Sequence, residues 1–253
     1  MAALSPPVAL VTGASRGIGR AIARQLAARG VRVAVHYRRN RAAAEATLAS
    51  LSGSGHVLVA ADLISAGAAE RLVRAVRRTC GRIDILVNNA GIYELHPPGS
   101  GGFAAWRRRW DRTVAANLTA PAHLSFLAAR AMRRGRGGRI VNISSRGAFR
   151  GEPRAPAYGA AKAGLNAFGQ SLAKALAGRR IFVFTLAPGW VDTDMAAEHL
   201  QGPRGAEILR DIPLGRVATA AEVALAAAWL ALDAPASMTG CIIDLNGASY
   251  LRT

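Results

Sequence analysis

A tyrosine and a lysine stand four residues apart in the segment Tyr158-Gly-Ala-Ala-Lys162. Residues at this spacing lie one turn apart on the same face of a helix, so the phenol and the ammonium can meet. A free phenol has a pKa of about 10 and exchanges protons poorly near neutrality. Lowering that pKa to about 7 needs roughly 4 kcal/mol, which one cation about 4 Å away supplies at an effective dielectric of about 20. The spacing therefore predicts a proton-transferring tyrosine, although the same spacing on many helices has no function.

The lysine of this pair is a rare residue in the chain. Lys and Arg together number 33, and only Lys162 and Lys174 are lysines. A compact ammonium differs from the planar, delocalised guanidinium, so arginine would not replace it well beside a phenol. The choice of lysine at position 162 favours a function for it.

Apolar runs of strand length alternate along the chain with segments of helical periodicity. The expected strands are residues 8–11, 31–35, 56–60, 83–87, 139–143, 181–186 and 241–245. The expected helices are residues 17–29, 41–51, 66–80, 103 or 111 to 134, 157–176 and 220–232, with loops or short helices at 93–102 and 190–214. This alternation predicts one α/β domain spanning residues 1–253, a doubly wound parallel sheet of about seven strands with helices on both faces.

The first expected strand runs directly into a glycine-rich turn, Thr12-Gly-Ala-Ser-Arg-Gly-Ile-Gly19. Glycines allow a tight turn and the close approach of a pyrophosphate, whose charge the N-terminus of the following helix attracts. A turn with only a packing role is the alternative. Its place directly after an N-terminal strand favours a nucleotide site.

The formal net charge of +18 raises the possibility of a nucleic-acid partner. The arginines are scattered through every expected helix, which favours the compositional bias of a GC-rich genome, an acidic protein partner or an anionic substrate instead. No apolar run approaches the roughly 18 residues of a membrane span, and residues 1–7 lack a signal-peptide pattern. Cys80 and Cys241 match no metal or redox spacing. We expect a cytoplasmic protein with no metal, membrane or nucleic-acid partner.

Six short motifs together resemble one enzyme family over nearly the whole chain. They are T-G-x-x-x-G-I-G at 12–19, N-N-A-G at 88–91, Asn117, Ser145 thirteen residues before Tyr158, the Tyr158/Lys162 pair, and P-G at 188–189. In this order they resemble the short-chain dehydrogenase/reductase family, and most closely its 3-oxoacyl-[acyl-carrier-protein] reductases. The resemblance implies a Rossmann fold and hydride transfer with a nicotinamide cofactor.

The resemblance also implies a catalytic role for four residues. Tyr158 would protonate the carbonyl oxygen as hydride arrives, and Ser145 would hold that oxygen, with the adjacent Ser144 as the alternative serine. Lys162 would lower the pKa of the tyrosine and hold the nicotinamide ribose. Asn117 would hold a water that relays protons, although an asparagine in a helix is often only structural.

The second expected strand narrows the choice of cofactor to NADP(H). NAD enzymes usually place Asp or Glu near its end, and residues 31–44 contain neither. Tyr37 occupies that position, and Arg16 and Arg38 could bind a 2′-phosphate, although arginine is frequent throughout the chain. The resemblance gives as expected cofactor contacts Gly13, Ser15, Arg16, Gly17, Ile18, Gly19, Tyr37, Arg38, Asp62, Leu63, Asn89, Ala90, Gly91, Tyr158, Lys162, Pro188, Gly189, Val191 and Thr193.

The resemblance favours a 3-oxoacyl thioester, bound to acyl carrier protein or CoA, as the substrate. An acidic carrier protein would meet Arg133, Arg136 and Arg179. A free ketone, a sugar or a secondary-metabolite intermediate is the alternative substrate, and a non-catalytic nucleotide-binding scaffold would need a broken tetrad. The segment from Gly91 to Asn117 is longer than in many of these reductases, so the substrate mouth is expected to differ. Relatives usually form tetramers, so we expect a homotetramer.

Overall fold

The structure is a computed structural model and describes residues 6–99, 101–132, 137–202 and 205–252. Its strands are β1 Val8–Val11, β2 Arg32–Tyr37, β3 Val57–Ala60, β4 Ile85–Asn88, β5 Gly138–Ile143, β6 Ile181–Pro188, β7 Val191–Asp192, β8 Ala218–Thr219 and β9 Ile242–Leu245. Seven of them form a parallel sheet in the order β3-β2-β1-β4-β5-β6-β9. β7 and β8 form a separate two-stranded parallel pair.

Helices connect the strands and cover both faces of the sheet. They are α1 Gly17–Ala28, α2 Arg41–Ala49, α3 Ala68–Cys80, α4 Phe103–Val114, α5 Ala120–Ala131, α6 Gly147–Arg150, α7 Pro156–Leu176, α8 Asp194–Leu200, α9 Gly205–Arg210 and α10 Ala220–Leu232. One apolar core includes residues of α1 and α10, and a second includes residues of α3 and α5. The central strand β1 is buried along its whole length, as a parallel strand covered on both faces must be. The predicted doubly wound α/β fold is confirmed.

The order of the strands reverses beside β1. β1 pairs with β2 on one side and with β4 on the other, so the loops after β1 and β4 leave the sheet next to each other. Ligands of doubly wound sheets bind in the crevice that forms at such a reversal, outside the carboxyl ends of the strands. The glycine-rich turn and the N-N-A-G segment therefore meet at this edge.

Helix α7 packs closely against the sheet, because the residue that faces β5 and β6 is a glycine. A Cβ on Gly169 would lie 3.1 Å from both Asn142 Nδ2 and Thr185 Oγ1, on β5 and β6. Pro156 stands in the first turn of α7, where its missing N–H is not needed. The helix thus carries Tyr158 and Lys162 in its first two turns, directly over the sheet edge.

The prediction of one continuous helix up to residue 134 is wrong in two respects, its continuity and its end. A π-helical turn, Ala115–Thr119, separates α4 from α5, and α5 ends at Ala131, where Met132 takes an extended conformation. A π turn changes which residues face one side of a helix, and it is often found at functional sites. Apolar periodicity alone does not reveal such a register change, and this one contains Asn117.

Arg139 joins the sheet to the end of α10. Its Nη1 atom donates to Leu230 O and Ala234 O, both at 2.8 Å, and its guanidinium lies 5.8 and 5.5 Å from the ring centroids of Phe182 and Phe184. A cation at a helix C-terminus satisfies carbonyls that have no partner in the helix.

We expect Arg139→Met to lower the free energy of unfolding by about 2–4 kcal/mol, because two charge-assisted hydrogen bonds are lost. Chemical denaturation measures the change. The matched control is Arg24→Met, which removes an exposed arginine of α1 and is expected to change stability by less than about 0.5 kcal/mol. Equal stability of the two variants would contradict the role of Arg139.

Candidate active site

The loops after β1 and β4 are held together by Thr12 and Asn89. Thr12 Oγ1 donates to Val87 O at 3.1 Å and accepts from the backbone N–H groups of Asn89 and Ala90 at 2.9 and 3.0 Å. Asn89 Nδ2 donates to Thr12 O at 2.8 Å. These bonds fix the glycine-rich turn against the N-N-A-G segment, which builds one wall of the crevice.

The glycine-rich turn fits a pyrophosphate. A Cβ on Gly19 would overlap Gly13 O and Asn89 Nδ2, and Gly13 and Gly17 have φ of 64° and 52°. The side chain of Arg16, the N-cap residue of α1, does not cap the helix, which leaves N–H groups of its first turn for a ligand. Bare backbone, positive φ and a free helix N-terminus are what a bound phosphate requires.

His36 stabilises this half of the site, a role that was not predicted from the sequence. The N–H of Gly13 donates to His36 Nδ1 at 3.0 Å, and His36 Nε2 donates to Ala61 O at 3.1 Å. Burial lowers the pKa of His36 to about 4, so the ring is neutral and can accept from Gly13. A histidine at the end of the second strand was the available signal, but nothing local indicated its partners.

Charged side chains surround the place where a 2′-phosphate would bind. Tyr37 ends β2 and is buried, and the exposed Arg38 beside it lines the crevice. Arg16 lies on the opposite side and forms an exposed ion pair with Asp194 of α8, at 3.6 Å. Such a pair contributes little in water, so a dianionic phosphate can replace the carboxylate.

Tyr158 and Ser145 meet at the inner end of the crevice. The Ser145 side chain acts on Tyr158 and lowers the pKa of its phenol, and Ser145 Oγ accepts from Gly147 N at 3.0 Å. The neighbouring Ser144 is buried and donates to Lys162 O at 3.3 Å, which turns it towards α7. The geometry therefore selects Ser145 over Ser144 as the serine that faces a ligand.

Lys162 and Asn117 approach each other across Gly91. Lys162 is 5% exposed, and its Nζ donates to Ile143 O at 2.8 Å. Asn117 Oδ1 accepts from Ile92 N at 3.2 Å. A Cβ on Gly91 would lie 2.5 Å from Asn117 Oδ1 and 3.7 Å from Lys162 Nζ, so both side chains lie next to this glycine.

The expectation that Lys162 lowers the pKa of Tyr158 is wrong for this arrangement. Burial raises the pKa of Tyr158 to about 12, the hydrogen bond with Ser145 opposes that change, and the charge of Glu152 adds to it. Burial also lowers the pKa of Lys162 to about 8. The ammonium lies 5.6 Å from the centroid of the tyrosine ring. Burial is therefore the main influence on both pKa values, and the tyrosine holds its proton at neutral pH.

One cleft of about 380 Å³ contains both halves of the site. It is lined by every expected cofactor contact and by all four expected catalytic residues. Thr193, at its far side, packs near Gly17, since a Cβ on that glycine would lie 3.4 Å from Thr193 Cγ2. The cleft is also lined by residues given no role from the sequence, among them Tyr93, Arg146, Glu152 and Trp190.

Of the three arginines expected to contact a carrier protein, the structure describes only Arg179. Arg133 and Arg136 lie outside the described residues. Arg179 Nη2 donates to Ala129 O at 2.9 Å, so one of its donors already stabilises the end of α5. In the described part of the chain, no helix is long and apolar enough to cross a membrane, and no group of three His, Cys, Asp or Glu could hold a metal.

Comparison with known proteins gives the family. The family model described as "Enoyl-(Acyl carrier protein) reductase" matches residues 13–247. The chain belongs to the short-chain dehydrogenase/reductase family. As a member of this family it is an oxidoreductase, and the expected resemblance is confirmed.

Similar proteins cover almost the whole chain. The 3-oxoacyl-[acyl-carrier-protein] reductase FabG of Escherichia coli (strain K12) is 40% identical over 245 residues, which are 96% of this chain and 97% of the relative. The reductase of that name from Synechocystis sp. (strain ATCC 27184 / PCC 6803 / Kazusa) is 37% identical over 257 residues, 99% of this chain and 100% of the relative.

Solved structures of similar proteins have the same fold. The angucycline C-6 ketoreductase LanV with bound NADP matches with a TM-score of 0.86 and 35% identity, over 95% of this chain and 94% of its own. The promiscuous reductase LugOII, which catalyses keto-reduction at C1 during lugdunomycin biosynthesis, matches with a TM-score of 0.86 and 36% identity, over 98% and 99%.

The buried ammonium makes a testable contribution to the pH dependence of stability. The pKa of Lys162 falls from 10.5 to about 8 on folding, so between these values the unfolded chain binds more protons than the folded one. Stability must therefore rise with pH in this window. We expect the free energy of unfolding of the wild type, minus that of Lys162→Met, to increase by up to about 2–3 kcal/mol from pH 7.5 to pH 10.

Denaturant titrations at several pH values measure this difference. Lys174→Met is the matched control, because it removes the other, exposed lysine of the same helix, and it is expected to keep the pH dependence of the wild type. A difference between wild type and Lys162→Met that stays constant with pH would show that Lys162 is not buried as an amine.

Proposed function

We propose that this protein reduces the 3-oxo group of an acyl thioester, carried by acyl carrier protein or CoA, to the 3-hydroxy form. The observation that supports this most directly is that Tyr158 and Ser145 line the same cleft as a pyrophosphate-type turn. The names of the E. coli and Synechocystis relatives give the same reaction for those proteins.

The cofactor is NADP(H). The end of β2 offers Tyr37 and Arg38 and no carboxylate, while Arg16 adds a second cation at the mouth of the cleft. LanV, which has the same fold, binds NADP. Two guanidinium groups suit a 2′-phosphate, and a carboxylate at this place would repel it.

The reaction needs a hydride, which the nicotinamide supplies, and a proton, which the protein supplies. Tyr158 keeps its proton at neutral pH because burial raises its pKa to about 12, so it can donate from Oη to the oxygen of the ketone. Ser145 Oγ stands beside it and donates a second hydrogen bond to that oxygen, which stabilises the negative charge that develops.

Lys162 and Asn117 would return a proton to Tyr158 after each turnover. The pKa of Lys162, about 8, lies close to neutrality, so the amine can both release and take up a proton. Asn117 faces it across Gly91, at the place where a relay water would be held. The bond from Lys162 to Ile143 O keeps the amine at the end of β5, beside the reacting groups.

A second candidate function is the reduction of a ketone of secondary metabolism. LanV and LugOII are ketoreductases of this kind, and both match nearly the full chain at 35% and 36% identity. The expected carrier-protein contacts Arg133, Arg136 and Arg179 belong to the first candidate only. A homotetramer stays a prediction from the resemblance, and a cytoplasmic location stays a prediction from the sequence. Exposed apolar residues of α5 and α10, Phe126, Leu225 and Trp229, support contact between subunits.

We expect the purified protein to oxidise NADPH in the presence of 3-oxoacyl thioesters, followed by absorbance at 340 nm. Tyr158→Phe is expected to lower kcat/KM by about 10²–10⁴-fold, because the proton donor is lost. Tyr250→Phe, a tyrosine outside the cleft, is the matched control and is expected to keep full activity. Turnover of free ketones without turnover of any 3-oxoacyl thioester would favour the second candidate.

We expect Arg38→Asp to shift the ratio of kcat/KM for NADPH over NADH towards NADH by about 10–100-fold, the effect of losing one charge-assisted contact to phosphate. Arg39→Asp makes the same charge change one residue further on, outside the cleft. This control is expected to alter the ratio much less. An equal shift in both variants would indicate a general electrostatic effect and no specific contact from Arg38.

A further inference from the structure

Arg146, the residue directly after Ser145, is a buried cation. Its side chain lines the cleft, and the residue is 7% exposed. Among the described residues, its Nη1 atom has no hydrogen-bond partner and its guanidinium forms no ion pair. Buried guanidinium groups are normally paired, because an unsatisfied charged donor away from water is costly. This donor needs an acceptor that the described protein atoms do not provide.

Arg146 has both acidic and basic neighbours. Burial lowers the pKa of Arg146, and the charge of Arg150 adds to that effect, whereas the carboxylates of Glu152 and Asp211 oppose it. Asp211 already pairs with Arg150, at 3.8 Å. Glu152 is therefore the nearby carboxylate that has no cation bound to it within the described residues.

Glu152 is held beside the reacting tyrosine. Its Oε2 atom accepts from the hydroxyl of Tyr93 at 3.2 Å, and the ring of Tyr93 packs edge-on against Tyr158, with centroids 4.9 Å apart. Its Oε1 atom lies so close to Gly147 that a Cβ there would overlap it. An ionised carboxylate accepts several hydrogen bonds, so Glu152 keeps the capacity to accept one more.

The cleft thus offers a donor and an acceptor in addition to the pair that takes the ketone. An alkyl chain in this part of the cleft would give the buried donor of Arg146 no acceptor, and it would cover Glu152 without giving it a hydrogen bond. A chain that carries a hydroxyl or carbonyl oxygen would satisfy them.

We propose that Arg146 and Glu152 form a second polar recognition site, and that the preferred substrates are 3-oxoacyl thioesters with a further oxygen function on the acyl chain. This inference rests on the proposed function for its thioester. It concerns the choice of chain and does not alter the roles of Tyr158 and Ser145.

A matched pair of substrates tests the proposal. The N-acetylcysteamine thioesters of 3-oxohexanoic acid and 5-hydroxy-3-oxohexanoic acid differ by one hydroxyl. We expect kcat/KM of the wild type to be about tenfold higher for the hydroxylated thioester, as one hydrogen bond to a charged group gives. Arg146→Met and Glu152→Met are each expected to bring the ratio close to one.

Arg150→Met is the matched control for loss of an arginine. It lies four residues from Arg146, is paired with Asp211 and does not line the cleft, so it is expected to keep the tenfold preference. Thermal melting shows whether each variant is folded. Because the two substitutions are at different positions, the proposal can still be tested if one variant does not fold. A wild-type ratio of one, or a ratio unchanged in both variants, overturns the proposal.

The same comparison separates this inference from the proposed function. If neither thioester is reduced but 4-hydroxy-2-heptanone is preferred over 2-heptanone, and Arg146→Met removes the preference, the thioester is wrong and the recognition site stands. Binding of both thioesters to Tyr158→Phe with NADPH, measured by calorimetry, gives the comparison without turnover. Equal dissociation constants there overturn the recognition site.

Discussion

The structure depends on keeping one amine, that of Lys162, out of water at the carboxyl edge of the sheet. Desolvating an ammonium is unfavourable unless acceptors are held in place around it. Ile143 O at the end of β5 is such an acceptor, and Asn117 and Tyr158 lie on its other sides. No single element could hold this group. The parallel sheet, the close-packed helix α7 and the π turn are all needed to surround it.

The sequence predicted the parts of this arrangement that local patterns encode. Alternating strands and helices led to the doubly wound sheet, and the spacing of Tyr158 and Lys162 placed both on one face of a helix. The glycine-rich turn could be assigned to a phosphate because its position after β1 follows from the chain order. All of these features depend on neighbours within a few residues, or on the known geometry of parallel sheets.

The features that were not predicted from the sequence depend on contacts between residues that are far apart in the chain. The pKa of Tyr158 rises because residues far along the chain bury it, and helical spacing contains no information about burial. The role of His36 comes from Gly13 and Ala61 on two other loops. Arginine abundance concealed Arg146 and Arg139, since only their surroundings distinguish them from the exposed Arg24.

The close contact at Gly169 has a mechanical consequence. An α-helix rises about 1.5 Å per residue and is stiff over a few turns, so the seven residues from Lys162 to Gly169 act as an arm of about 10 Å. A larger residue at the glycine would lift the arm from β5 and β6. Tyr158 and Lys162 would then move together, keeping their mutual distance while leaving Ser145 and Ile143 behind. A methyl group at position 169, about 16 Å along the helix from Tyr158, would thus misalign the site without touching it.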